Sequence, residues 1–196
     1  MAKIPKAEYK TEIEIKKSRF IGMGFLINNV DEARVFLKKI KNDYPDSKHV
    51  CYGFLWGKNS THMGMSDDGE PNGTAGRPII EVLKGSGIEN ILVAVVRYFG
   101  GIKLGTGGLV KAYTEISKLV VENIPTEEYI ERENKSLILP YTLYNQVKIV
   151  LETFNAEIIN EEFLTDIKID FKAAASNIEE ISYEIKNISS GLLTLY

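Results

Sequence analysis

Residues 64–113, GMSDDGEPNGTAGRPIIEVLKGSGIENILVAVVRYFGGIKLGTGGLVKAY, hold 11 of the chain's 16 glycines. Between their two glycine-rich segments runs Ile91 to Val96, wholly apolar, bounded by turn signals and short enough for a strand buried on both faces. A flexible surface linker has no use for a buried strand. These glycines are therefore placed for geometry, in loops set against a rigid core where something approaches the backbone closely.

Working outward, the alternation of Tyr9, Ile13 and Ile15 with charged residues predicts a half-exposed strand, turned at Lys16-Lys17-Ser18. A second strand runs from Arg19 to Ile27, with Ile21, Met23, Phe25 and Ile27 on one face and Gly22 and Gly24 on the other. Asn28 or Asn29 then caps a helix whose stripe is Ala33, Phe36, Leu37, Ile40 and Tyr44, stopped by Pro45. Val50, Tyr52, Phe54 and Trp56 mark the next strand, and 58–65 reads as a loop. Pro78 suits the start of a short helix reaching about Lys84. From Thr106 a longer helix turns Leu109, Ala112, Tyr113, Ile116, Leu119, Val120 and Asn123 inward, and Pro125 closes it.

The charged stretch 126–134, TEEYIEREN, has no clear period and marks a boundary between domains at 1–133 and 134–196. Beyond it come a strand at Ser136–Leu139, a helix capped by Thr142, strands at Glu157–Phe163 and Asp166–Lys172, a helix capped by Ser176 or Asn177, and a last strand at Leu192–Tyr196. That order, βαββαβ, is the ferredoxin-like arrangement, so the fold class expected is α+β in two domains.

The chain has 196 residues, 44% hydrophobic and 26% charged, ordinary values for a folded domain. No apolar run reaches the roughly 18 residues of a membrane span, and the start lacks a signal-peptide pattern, so a cytoplasmic location is expected. The single Cys51 fits a reducing compartment. Net charge is −3: residues 1–134 carry 19 Lys and Arg against 18 Asp and Glu, and 135–196 carry 5 against 9. Any nucleic-acid contact must then come from a local patch.

Gly105-Thr106-Gly107-Gly108 opens a helix, where free N–H groups and the helix dipole suit an anion. The dipole supplies only about 0.3–2 kcal/mol of the roughly 8 kcal/mol that micromolar binding needs. Side chains must supply the rest, and Arg77, Arg97, Lys103 and Lys111 are the candidates. Asp67, Asp68 and Glu70 suit acid–base work or a hard cation, but turn chemistry is favoured over both, with Asp67 or Asp68 binding its own backbone or pairing with Arg77 or Arg97. His49, Cys51 and His62 match no established zinc spacing, and no nucleophile elbow, Walker or dinucleotide fingerprint is present. No metal or cofactor is expected.

DDGEPNGTAGRP at 67–78 and VVRYFGGIKLGTGGLVKAY at 95–113 resemble the two signature segments of the YigZ/IMPACT family, and KKSRFIG at 16–22 and HVCYGF at 49–54 agree. The resemblance covers the whole chain. It implies an N-terminal domain with the fold of the second domain of ribosomal small-subunit protein five, followed by a ferredoxin-like domain. The same two folds lie side by side in elongation factor G. The signature positions are Asp67, Asp68, Gly69, Glu70, Pro71, Gly73, Thr74, Ala75 and Gly76, with Arg97, Tyr98, Gly100, Gly101, Gly105, Gly107 and Gly108. No catalytic reaction follows from the family. Eukaryotic relatives regulate translation by competing for the activator of a stress-responsive initiation-factor kinase, and they carry an additional N-terminal RWD domain; residues 1–8 leave no room for one, so that partner is not expected here.

Three functions are open at this point. A translation-associated factor would contact RNA or the ribosome through the glycine-rich face. If all four cations touched phosphates, the log–log salt slope would be about −3 on single-stranded RNA. The alternatives are an enzyme binding a phosphorylated metabolite or nucleotide there, and a protein-interaction module using the C-terminal domain. Oligomeric state is not read from the sequence.

Overall fold

The structure, a computed structural model, describes residues 2–196, with Lys58 described by its backbone alone. The chain packs as two units divided between Tyr129 and Ile130, each considered by itself.

The first unit contains β1 (Lys3–Pro5), β2 (Tyr9–Ile15), β3 (Ser18–Leu26), α1 (Val30–Asp43), β4 (His49–Trp56), β5 (His62–Ser66), α2 (Gly76–Ser86), β6 (Ile91–Tyr98), α3 (Thr106–Asn123) and β7 (Thr126–Glu128). Five strands form one antiparallel sheet in the order β2-β3-β6-β4-β5. The apolar run at Ile91 is thus its central strand, and Ile91 to Val96 are fully buried. Residues alternate between the two faces. Ile21, Met23, Phe25, Leu92, Ala94 and Val96 pack with Ala33 and Ile40 of α1. Phe20, Cys51, Val93 and Val95 pack with Ile79 and Leu83 of α2 and Tyr113, Ile116 and Val120 of α3. The sheet is a middle layer between one helix and two.

That second face is close because glycine permits it. A Cβ on Gly22 would lie 2.7 Å from the Ile116 side chain and 2.8 Å from Val120, so α3 rests on the bare strand. α1 begins as its residues dictate: Asn29 Oδ1 accepts from the Glu32 N–H at 2.9 Å, and Glu32 Oε2 accepts from the Asn28 N–H at 2.8 Å.

Several expectations change. The 58–65 loop holds a 3₁₀ turn and then β5, an edge strand that the short, glycine-interrupted HMGMS does not announce. β1 and β7 form a two-stranded ribbon from segments with no alternation, one carrying a proline. Asn123 faces outward rather than inward, its amide donating back to the Leu119 carbonyl at 2.8 Å.

The second unit contains β8 (Arg132–Leu139), α4 (Tyr144–Thr153), β9 (Glu157–Phe163), β10 (Ile167–Ala174) and α5 (Ile178–Ile188), with strand order β8-β10-β9. Leu137, Leu139, Ile167, Ile169 and Phe171 form its core with Val147, Leu151, Ile181 and Ile185. β8 starts four residues before the expected Ser136, because Arg132 to Lys135 pair with the far end of β10. Thr142 lies within a 3₁₀ turn that precedes α4 and does not cap it. Asn177 precedes α5 without a capping bond from its side chain. Residues 192–196 are not a regular strand, but Ser136 and Tyr196 exchange two backbone hydrogen bonds of 2.8 and 3.0 Å where the fourth ferredoxin-like strand would lie. Among the described residues no helix is long and apolar enough to cross a membrane.

Candidate functional site at the start of helix three

The acidic turn before α2 divides its work among three carboxylates. Asp67 accepts from the N–H groups of Gly73, Ala75 and Gly76 at 2.8 to 2.9 Å, so it caps α2 from outside the helix. Burial pushes its pKa up, but the three backbone donors outweigh this and hold it below the usual carboxylate range. Asp68 accepts from Lys41 Nζ at 3.0 Å and from the Val50 N–H at 2.7 Å. Neither carboxylate is free for acid–base chemistry.

Glu70 is the third, and it is buried. Its Oε1 accepts from Arg97 Nη1 at 2.6 Å and from the Tyr113 hydroxyl at 2.9 Å. Arg97 ends the central strand on the side facing α3, with its side chain only 7% exposed and that of Glu70 3%. Arg97 Nη2 reaches Ser18 Oγ at 3.5 Å, its Nε has no partner, and Phe20 and Phe99 lie under its guanidinium. Cys51 Sγ stands 3.3 Å from the Tyr113 hydroxyl and 3.0 Å from the Asp67 carbonyl oxygen. Burial pushes this thiol up to about 12, far from a reactive thiolate. Burial, then Cys51 and Glu70, likewise raise the Tyr113 phenol.

Against this buried pair opens a cavity of about 420 Å³, lined by Lys48, His49, Glu70, Pro71, Arg97, Phe99, Lys103, Leu104, Gly105, Thr106 and Leu109. α3 starts here with no side-chain cap, so its first N–H groups are left for water or a ligand. Lys48 and Lys103 are exposed, as is Phe99 at 55%. Glu70 is offset by Arg97, so the lysines give the cavity a surplus of positive charge.

Of the residues expected to face a ligand, Arg97, Lys103, Gly105 and Thr106 meet in this cavity, with Gly107 and Gly108 following in the first turn of α3. Arg77 lies elsewhere. It borders a larger groove between α2 and α3, about 670 Å³, with Pro78, Val82, Val110, Lys118 and Val121. Glu81 and Glu122 in that groove balance Arg77 and Lys118, so it holds no charge surplus. Lys111 is exposed and borders neither. Of the signature residues, Thr74 Oγ1 and N–H both bond the Pro71 carbonyl, and Gly69 and Gly73 have positive φ. Ala75 and Gly76 are buried at the start of α2, Tyr98 packs on the α1 face, and Gly100 and Gly101 form the loop after β6. Sequence reasoning missed Ser18 and Lys48, which reach the site through strand register, and Phe99, which lies in the same loop as Lys103. Tyr113 carried a signal, a hydroxyl on the buried stripe of a helix. His49 bonds the Asp68 carbonyl and His62 stacks on Trp56. Among the described residues no three metal-ligating groups gather.

Residues 16–121 match the Impact N-terminal domain, and 137–192 match a domain of unknown function, DUF1949. The chain belongs to the IMPACT family. It is 39% identical to an IMPACT family member of Haemophilus influenzae over 98% of this chain and 94% of that one. It is 36% identical to the family member YigZ of Escherichia coli, over 98% and 95%. A crystal structure described as that of a hypothetical protein, 35% identical, superimposes with a TM-score of 0.80 over 99% of this chain and 95% of that one.

Proposed function

We propose that this IMPACT family chain is a translation-associated factor that binds RNA, free or in the ribosome, at the cavity where α3 begins. One observation carries the reading: the cavity's only acid, Glu70, is buried against Arg97, so Lys48, Lys103 and the uncapped helix start are left facing outward as anion donors. Phosphate is one anion that point-charge lysines and helix N–H groups together suit. The ribosomal-protein fold that the signature segments imply supports the same class of ligand. No catalytic role is assigned, because Asp67, Asp68 and Glu70 are each engaged structurally.

The test is fluorescence anisotropy with labelled oligouridine across a salt series. Lys48→Ala with Lys103→Ala should remove two phosphate contacts and flatten the log–log slope by about 1.4. A wild-type response that is flat in salt, with no co-sedimentation with ribosomal particles, overturns the reading. A second reading rests on cavity size, since about 420 Å³ is also that of a small-molecule pocket. Thermal shifts with nucleotides and phosphorylated metabolites, absent with RNA, would favour it.

A further inference from the structure

The hairpin between β2 and β3 turns on Lys16 and Lys17, and both have positive φ, 47° and 63°. Ile15 pairs with Ser18 across them, so this is a two-residue type I′ turn, whose central positions favour Asn-Gly. Left-handed backbone is costly for lysine, and residues kept in such strain cluster at functional positions. Both side chains are exposed, and Glu12 on the same hairpin is already paired with Arg19.

This turn is locked to the candidate site. Arg19 pairs with Tyr98 as the last pair of the ladder, and the loop that follows Tyr98 lies against the turn. A Cβ on Gly100 would fall 1.9 Å from the carbonyl carbon and oxygen of Lys17, and the Gly100 N–H donates to Ser18 Oγ at 3.2 Å. Ser18 Oγ also receives Arg97 Nη2. Phe99, next to Gly100, therefore adjoins the lysine turn on one side and lines the cavity with Lys103 on the other. Its ring is half exposed and anchored beside the Arg97 guanidinium, 5.7 Å away.

We infer that Lys16 and Lys17 form a second phosphate-binding element, and that Phe99 stacks one unpaired base between it and the Lys48–Lys103 cavity. The ligand is then single-stranded RNA, because a paired base is already stacked in its helix and cannot lie on an exposed ring. This rests on the RNA reading above and narrows it.

The experiment compares a single-stranded oligouridine with a closed RNA hairpin duplex, by anisotropy across salt, on the full chain. Lys16→Asn with Lys17→Gly keeps the turn in its preferred residues, so folding is not at risk. It should flatten the single-strand slope by about 1.4. Phe99→Ala should weaken single-strand binding at least about fivefold, with Phe99→Trp restoring it. The inference is overturned, and the RNA reading survives, if the duplex binds as tightly as the single strand or Phe99→Ala changes nothing while Lys48 and Lys103 still matter. Absence of salt-dependent binding to either RNA, with no co-sedimentation with ribosomal particles, overturns both.

Discussion

Arg97 brings a permanent cation to the end of a fully buried strand, where an unpaired charge would cost several kcal/mol, on the order of its desolvation. Glu70 answers it at 2.6 Å, and Tyr113 and Ser18 supply further polar partners. The arrangement makes Arg97 a wall of the cavity rather than a free ligand-seeking cation. Arg97→Met should therefore destabilise the fold by about 3–5 kcal/mol, since it strands Glu70 in the core. Adding Glu70→Leu removes the stranded charge and should recover most of that loss. Urea denaturation of the single and double variants decides the matter. A double variant as unstable as the sum of the two single changes would mean that Arg97 acts through packing alone.

At the scale of elements, α2 depends on a residue nine positions before its first turn. Gly76 and Ala75 share one oxygen of Asp67, and Gly73 takes the other. Asp67→Ala should cost about 1–2 kcal/mol, the range for a lost helix cap. The sign of its pH dependence follows from the depressed folded pKa. The cap's contribution is complete above the unfolded value of about 3.9 and fades as pH falls through the lower folded value. Urea midpoints for wild type and Asp67→Ala should thus converge between pH 5 and strongly acidic conditions, and a constant gap would refute a charged cap. The helices themselves were legible in sequence because a periodic stripe is a local property: Ala33, Phe36, Leu37 and Ile40 announce α1 without reference to anything else. The central strand was legible for the same reason. What escaped depends on partners distant in the chain. β1 and β7 exist only through each other, β5 only through β4, and the division of labour among Asp67, Asp68 and Glu70 only through Gly76, Val50 and Arg97. The site was half legible. Lys103 and Gly105 lie two residues apart in sequence, whereas Lys48 and Ser18 arrive by strand register.

At the scale of the molecule, the two units keep separate cores: two clusters flanking the five-stranded sheet before Tyr129, and one beneath the three-stranded sheet after it. Charge separates in the same way. Residues 1–129 carry 18 Lys and Arg against 16 Asp and Glu, a net of +2, while 130–196 carry 6 against 11, a net of −5. In the second unit the sheet face away from the helices carries the exposed Ile138 beside Lys168, which is held between Glu162 and Asp170, so this surface offers no concentration of cations to an RNA backbone. Separate cores mean that local instability need not spread, because each unit's cooperative opening is set by its own buried contacts. Arg97→Met supplies a perturbation confined to the first. Native-state hydrogen exchange on the full chain should show amides of the β2–β6 sheet exchanging faster in that variant, with β8 and β10 unchanged. If protection in β8 and β10 falls by the same factor, the chain opens as a single cooperative body, and a ligand bound at the start of α3 would stabilise both units equally rather than the first alone.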